Sequence, residues 1–240
     1  MAETSRAEEG PEEISPEEAE RRRLEQQWTT SRNLNRMLES LRIEHEMTAS
    51  HNLKLEHAIF DRKFYLFYIN SKNNVLDDIK KIAPDGDKER RNILKGEELY
   101  VEGKISRKEL MGDDYKSTMA SRGNSWARAI ILTESNIYDF FRDDHIKMER
   151  IKEDQINLLH DIFGNPFSKE PAKVEPGWLT TNVKGLATKI YQEKEFDNMP
   201  ILADALEDAG CTNQEMLNHC RGKHEHVRGC WVLDLILQKE

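Results

Sequence analysis

Cysteine is scarce in this 240-residue chain, three in all, and every one lies between positions 211 and 230. An odd, clustered set of that kind does not make the disulfide framework of a secreted protein, and predicts a reducing cytoplasm. Proline and glycine are thin as well, seven and twelve, and neither occurs between Asn124 and Asp161. That disfavours a fold built of strands and turns. Long apolar runs are missing: no segment approaches the ~18 residues that would span a bilayer, so no membrane association is expected. The opening residues are acidic and lack the charged-then-apolar pattern of a secretory leader. Clustered cations are missing too. Of a net charge of −9, residues 1–25 carry nine acids against four arginines. An acidic tail argues against nonspecific nucleic-acid binding, which needs concentrated positive charge to release counterions.

What is present is charge and helical periodicity. Hydrophobic residues make up 37% and charged residues 34%, with a mean hydropathy of −0.80. Such a balance suits helices that bury one face and leave the other wet. The expected fold is all-α, in four parts. Residues 1–15 form a disordered acidic tail, too poor in apolar side chains to offset ordering entropy. Residues 16–163 form a long-helix body, 164–178 a proline-rich connection, and 179–240 a compact unit of short helices. The two helical parts are free to share one core.

Within the body, Ser15-Pro16-Glu17-Glu18 reads as a helix start, with serine as cap and proline in the first turn. Leu24, Trp28, Leu34, Leu38 and Leu41 then continue mostly at three- or four-residue steps. A second helix is expected over about 52–82 around the aromatic centre Phe64–Tyr68, read as core, ending at Pro84-Asp85-Gly86-Asp87. Shorter helices should follow at about 88–102 and 106–120, the latter opened by the Ser106/Glu109 capping box. The unbroken stretch 124–160 should turn Ile130, Ile137, Phe141, Met148, Ile151, Ile156 and Leu159 inward. Gly164-Asn165-Pro166 stops it. Beyond the connection, helices are expected at about 180–193, 198–209, 213–221 and 228–238. The acidic pairs Asp77-Asp78, Asp113-Asp114 and Asp143-Asp144, and the histidines at 45, 51 and 57, read as solvated surface.

One segment carries chemistry. Residues 211–231 hold three cysteines and three histidines. Thr212 with Glu215 reads as a capping box, so a helix should begin just after Cys211 and carry His219 about two turns on. Gly222 and Gly229 bracket a loop. Zinc takes four thiolate or imidazole ligands in a tetrahedron, and Cys211, His219, His226 and Cys230 would supply them if helix and loop fold back. Cys220 or His224 could substitute for a neighbour. The spacing is not that of a standard zinc finger, and a competing reading makes the cysteines small buried hydrophobes and leaves the histidines on a polar loop. A third reading is a Cys/His-dependent enzyme centred on Cys220 and His219. Adjacent helical residues do not face each other, which weakens it.

The segments Asp161-Ile162-Phe163-Gly164-Asn165-Pro166-Phe167, Trp178-Leu179-Thr180, Ala187 to Tyr191, Leu202 to Cys211 and His226 to Asp234 together resemble the C-terminal signature of an uncharacterised family abundant in planctomycete bacteria. Gln27-Trp28, Met37-Leu38, Asp61-Arg62-Lys63 and Gly103-Lys104-Ile105-Ser106 echo that family's opening more faintly. The resemblance implies a cytoplasmic bacterial protein and no particular activity. Family members show paired cysteines where this chain has Phe67-Tyr68-Ile69-Asn70, so no metal or redox role carries over there. They also show Gly-Pro where this chain has His224-Glu225, before His226. The expected function is a non-catalytic interaction or regulatory module with a protein partner and a structural zinc site.

Overall fold

In the computed structural model, residues 14–48, 55–111, 141, 143–169 and 172–239 are described, the side chains of 43–48, 55–61, 107 and 111 excepted. Every regular element among these residues is a helix, with no strand among them, so the all-α expectation holds. The acidic tail up to residue 13, the stretch 112–140 and the histidine side chains at 45, 51 and 57 lie outside the described residues.

Local chemistry places the helix ends. Helix α1 (Pro16–Thr30) starts where Ser15 Oγ accepts the Glu18 N–H at 3.1 Å. It stops earlier than its periodicity suggests. Thr29 and Thr30 bond back to the carbonyls of Glu25 and Gln26, and Asn33 caps a new helix, α2 (Leu34–Thr48), through the Arg36 N–H. The expected second helix also divides, into α3 (Leu55–Asn73) and α4 (Leu76–Ile82). Helix α5 (Asp87–Val101) follows, then α6 (Arg107–Met111), whose capping box is reciprocal: Ser106 N–H donates to Glu109, and Glu109 N–H to Ser106. Helix α7 (His145–Phe163), capped by Asp144, ends at Gly164.

The proline-rich connection is irregular except for one 3-10 turn at Pro176–Trp178. It leads to α8 (Thr181–Glu193), α9 (Met199–Asp208), α10 (Gln214–Cys220) and α11 (Trp231–Leu237). The cap of α10 is Asn213, accepting the Met216 N–H at 3.1 Å, rather than Thr212. Cys211 instead belongs to the end of α9, its N–H bonded to the Leu206 carbonyl.

Two apolar cores position the C-terminal loop. The first joins α1, α2, α3 and α7 through Leu24, Trp28, Leu38, Phe67, Leu159 and Ile162, and it takes in Val227 from that loop. Trp28 anchors it, donating its indole N–H to the Gly164 carbonyl at 2.8 Å and packing edge-on against Phe167. The second joins α8 to α11 through Ile190, Leu202, Leu206, Leu217 and Val232. Of the expected inward face of 124–160, Phe141, Met148, Ile151, Ile156 and Leu159 are buried; Ile130 and Ile137 lie outside the described residues.

Polar contacts join the two halves. Arg62 of α3 donates to Asp234 of α11 at 2.5 Å and to the Tyr191 hydroxyl of α8 at 2.9 Å, and Tyr191 donates in turn to Glu102. Asp234 is fully buried. Removing one member of such a group strands the other charge, at a cost of about 3–5 kcal/mol. Asp78 differs from the solvated reading: it is largely covered and pairs with Lys147 of α7 and Lys81.

Candidate metal centre

Helix α7 buries nearly its whole C-terminal turn, and Asp161 goes in with Leu158, Leu159, Ile162 and Phe163. A carboxylate with no exposure needs partners. It finds them in the C-terminal loop. His226 Nδ1 lies 2.6 Å from Asp161 Oδ1, His219 Nε2 lies 3.1 Å from the same oxygen, and His224 Nε2 lies 3.6 Å away. The other oxygen, Oδ2, accepts the Val227 N–H at 3.0 Å. Cys230 completes the group, its sulfur 3.3 Å from His219 Nε2 and 3.8 Å from His226 Nδ1.

Asp161, His219, His226 and Cys230 therefore each aim one donor atom at a common point, with all four atoms within 4.8 Å of one another. This cluster is able to coordinate a metal ion. A single carboxylate oxygen has too few lone pairs to satisfy three imidazoles, whereas a cation at the centre would use the donors of Asp161, His219, His226 and Cys230 at once. The supports are specific. The Trp231 ring lies against His219 at 5.1 Å between centroids. Gly229, at φ 96°, presses so close to Leu66 of α3 that a Cβ would meet its Cδ1 at 2.8 Å. Only glycine lets the loop dock there and deliver Cys230.

The electrostatics of these side chains follow from their burial together. Burial alone would raise the Asp161 pKa, but the surrounding imidazoles of His219, His224 and His226 outweigh it and hold the carboxyl well below the usual range. Burial lowers the His219 pKa against the opposing pull of Asp161. Burial also pushes the Cys230 thiol far up, so a metal would have to displace its proton on binding.

Of the residues expected to converge, His219, His226 and Cys230 do, and Cys211 does not. Its side chain is part of the apolar core of α8 to α11, because the turn after α9 points it inward there. Asp161 takes the fourth place. Position along the chain hid it, although a lone carboxylate inside the apolar run Leu158–Phe163 is the kind of signal that could have revealed it. Cys220 is completely buried and its thiol is pushed up to about 12 by burial. The His219 ring nitrogen faces Asp161 and Cys230 instead. That is the reverse of what an activated nucleophile needs. Compared with protein-family models, with curated proteins and with solved structures, the chain gives no match.

Proposed function

We propose that this protein is a non-catalytic helical interaction module whose two halves are fastened by a structural metal centre, with zinc as the ion. The observation that carries the reading is the convergence of four buried donors drawn from α7, from α10 and from the loop before α11. Four protein ligands complete the tetrahedron that structural zinc sites use, and catalytic sites hold one place open. A nitrogen–oxygen–sulfur donor set suits zinc better than magnesium or calcium, which prefer oxygen alone. The resemblance to the planctomycete family bears on the same point. Asp161 opens the first segment of that signature, and His226 and Cys230 lie in its last, so the signature would be written largely around the centre.

The partner surface, in this reading, is the wet exterior of the helices, where Ile82, Ile93, Ile146 and Ile201 stand exposed. Zinc titration and metal analysis of the purified chain test the centre: one equivalent bound, with a lower thermal midpoint on chelation, is the expected result. Substoichiometric uptake, or a midpoint indifferent to chelator, removes it. Affinity capture from host lysate with hydrogen-exchange mapping tests the module. A surface that gains no protection anywhere ends that part.

A further inference from the structure

His224 is a donor that the four-ligand centre leaves unused. Its Nε2 is shielded from solvent and makes no hydrogen bond; Asp161 Oδ1, the oxygen it faces, is 3.6 Å away, beyond hydrogen-bond reach. Its ring lies 4.2 Å from that of His226 and 4.9 Å from that of His219. Burying an imidazole nitrogen without a partner is costly, and a buried orphan atom aimed at a cluster of Lewis bases needs an electrophile to justify it.

The chain also makes room for this ring. Gly222 has ordinary backbone geometry, yet a Cβ there would meet His224 Cε1 and Nδ1 at 2.5 Å. The absence of a side chain at 222 therefore serves the seat of His224 first, and also spares the His219 carbonyl, which a Cβ would meet at 3.0 Å. Exposure of the side chains gives the site a direction. Asp161 is at 0%, His226 at 4%, His219 at 11% and His224 at 24%. His224 stands on the solvent side, on a loop without regular structure.

We propose that His224 is a fifth ligand of the same ion, and that its place is the one open to exchange with a small external nitrogen ligand. The inference rests on the cluster being a metal centre. Coordination by Asp161, His219, His226 and Cys230 would stay fixed while His224, the least enclosed donor, comes and goes. Zinc keeps four ligands in nearly all structural sites and expands to five where a position exchanges, so a fifth place here would be the exchangeable one while the other four donors keep the staple.

The test uses the full chain loaded with cobalt(II), whose visible bands distinguish four from five ligands. Wild type should bind one equivalent, show the near-ultraviolet charge-transfer band of the Cys230 thiolate, and give the weak visible bands of five-coordination. Its proton spectrum should contain three strongly shifted imidazole N–H resonances. His224→Ala should keep the stoichiometry and the thiolate band, change the visible bands, and bind cobalt at least ~10-fold more weakly, the lower end of what even outer-shell partners contribute. Added imidazole should restore the wild-type bands. Gly222→Ala, which evicts the ring without deleting it, should match His224→Ala. Two shifted resonances in wild type, or bands unchanged by both substitutions, overturn the role of His224 and leave the centre standing. Wild type without cobalt uptake or without the thiolate band overturns the centre itself.

Discussion

Replacing Asp161 by asparagine removes a charge and little else. The amide oxygen can still accept the Val227 N–H, now 3.0 Å from Oδ2. What disappears is the anion between His226 at 2.6 Å and His219 at 3.1 Å. Hydrogen bonds to a charged group contribute about 1.5–3 kcal/mol each against about 1 for neutral ones, so metal-free Asp161→Asn should lose about 2–3 kcal/mol. For a chain of this size that lowers the thermal midpoint by roughly 5–10 °C. The pH dependence has a definite sign. The Asp161 pKa is held below its unfolded value, so its contribution is complete above pH ~3.9 and is lost as acid protonates the folded carboxylate. The His219 pKa is lowered on folding, so below pH ~6.5 the unfolded chain binds the proton first and stability falls there as well. Wild type should therefore weaken in two limbs on acidification, and the lower one, to which Asp78 and Glu102 also contribute, should be shallower in the variant. Zinc at about 1,000 times its dissociation constant should add about 4 kcal/mol to wild type, and almost nothing to the variant. Urea unfolding followed by circular dichroism, with chelator or with zinc, measures all of this. An Asp161→Asn protein as stable as wild type in chelator, and still stabilised by zinc, would refute the assignment.

Cys230→Ser should abolish the metal–thiolate absorption while Cys211→Ser leaves it intact, and titration of the two variants side by side decides whether the sulfur comes from 230 or 211. Cys211→Ser should still cost about 1–3 kcal/mol, because it buries a hydroxyl in an apolar core; chemical denaturation checks that. Cys220 and Cys230 should resist thiol reagents in the folded chain whether or not metal is present, and become reactive only through unfolding; equal labelling in native and denatured protein would contradict their burial. Trp28→Phe drops the bond to the Gly164 carbonyl and leaves a void where the larger indole packed, so a loss of about 2–4 kcal/mol is expected in thermal or urea melts.

Much of the fold was legible because it is written in short-range signals. Ser15, Ser106 and Glu109 sit where capping chemistry demands, and the apolar period through Met148, Ile151, Ile156 and Leu159 gives the buried face of α7 directly. Errors arose where two local signals competed. The apolar period runs on through residues 24–41, but the hydroxyls of Thr29 and Thr30 and the cap at Asn33 divide it into two helices. Asn213 outcompetes Thr212 as a cap one residue later. The site was half legible for a different reason. His219, His226 and Cys230 lie close together in the chain, so their convergence can be guessed from spacing. Asp161 comes from a helix that belongs to another core, and only tertiary packing brings it in. Cys211, expected beside them, packs into the core of α8 to α11 instead, a placement that chain spacing does not show.

The separation between Asp161 and His226 along the chain, 65 positions, has a topological meaning. An ion gripping both residues closes a loop of that length, much as a covalent bridge would. Forbidding the open conformations of such a loop in the denatured ensemble is worth about 4 kcal/mol by the polymer argument used for disulfides. A disulfide is fastened or released by the redox poise around it, whereas a thiolate–imidazole–carboxylate knot would be fastened or released by metal supply.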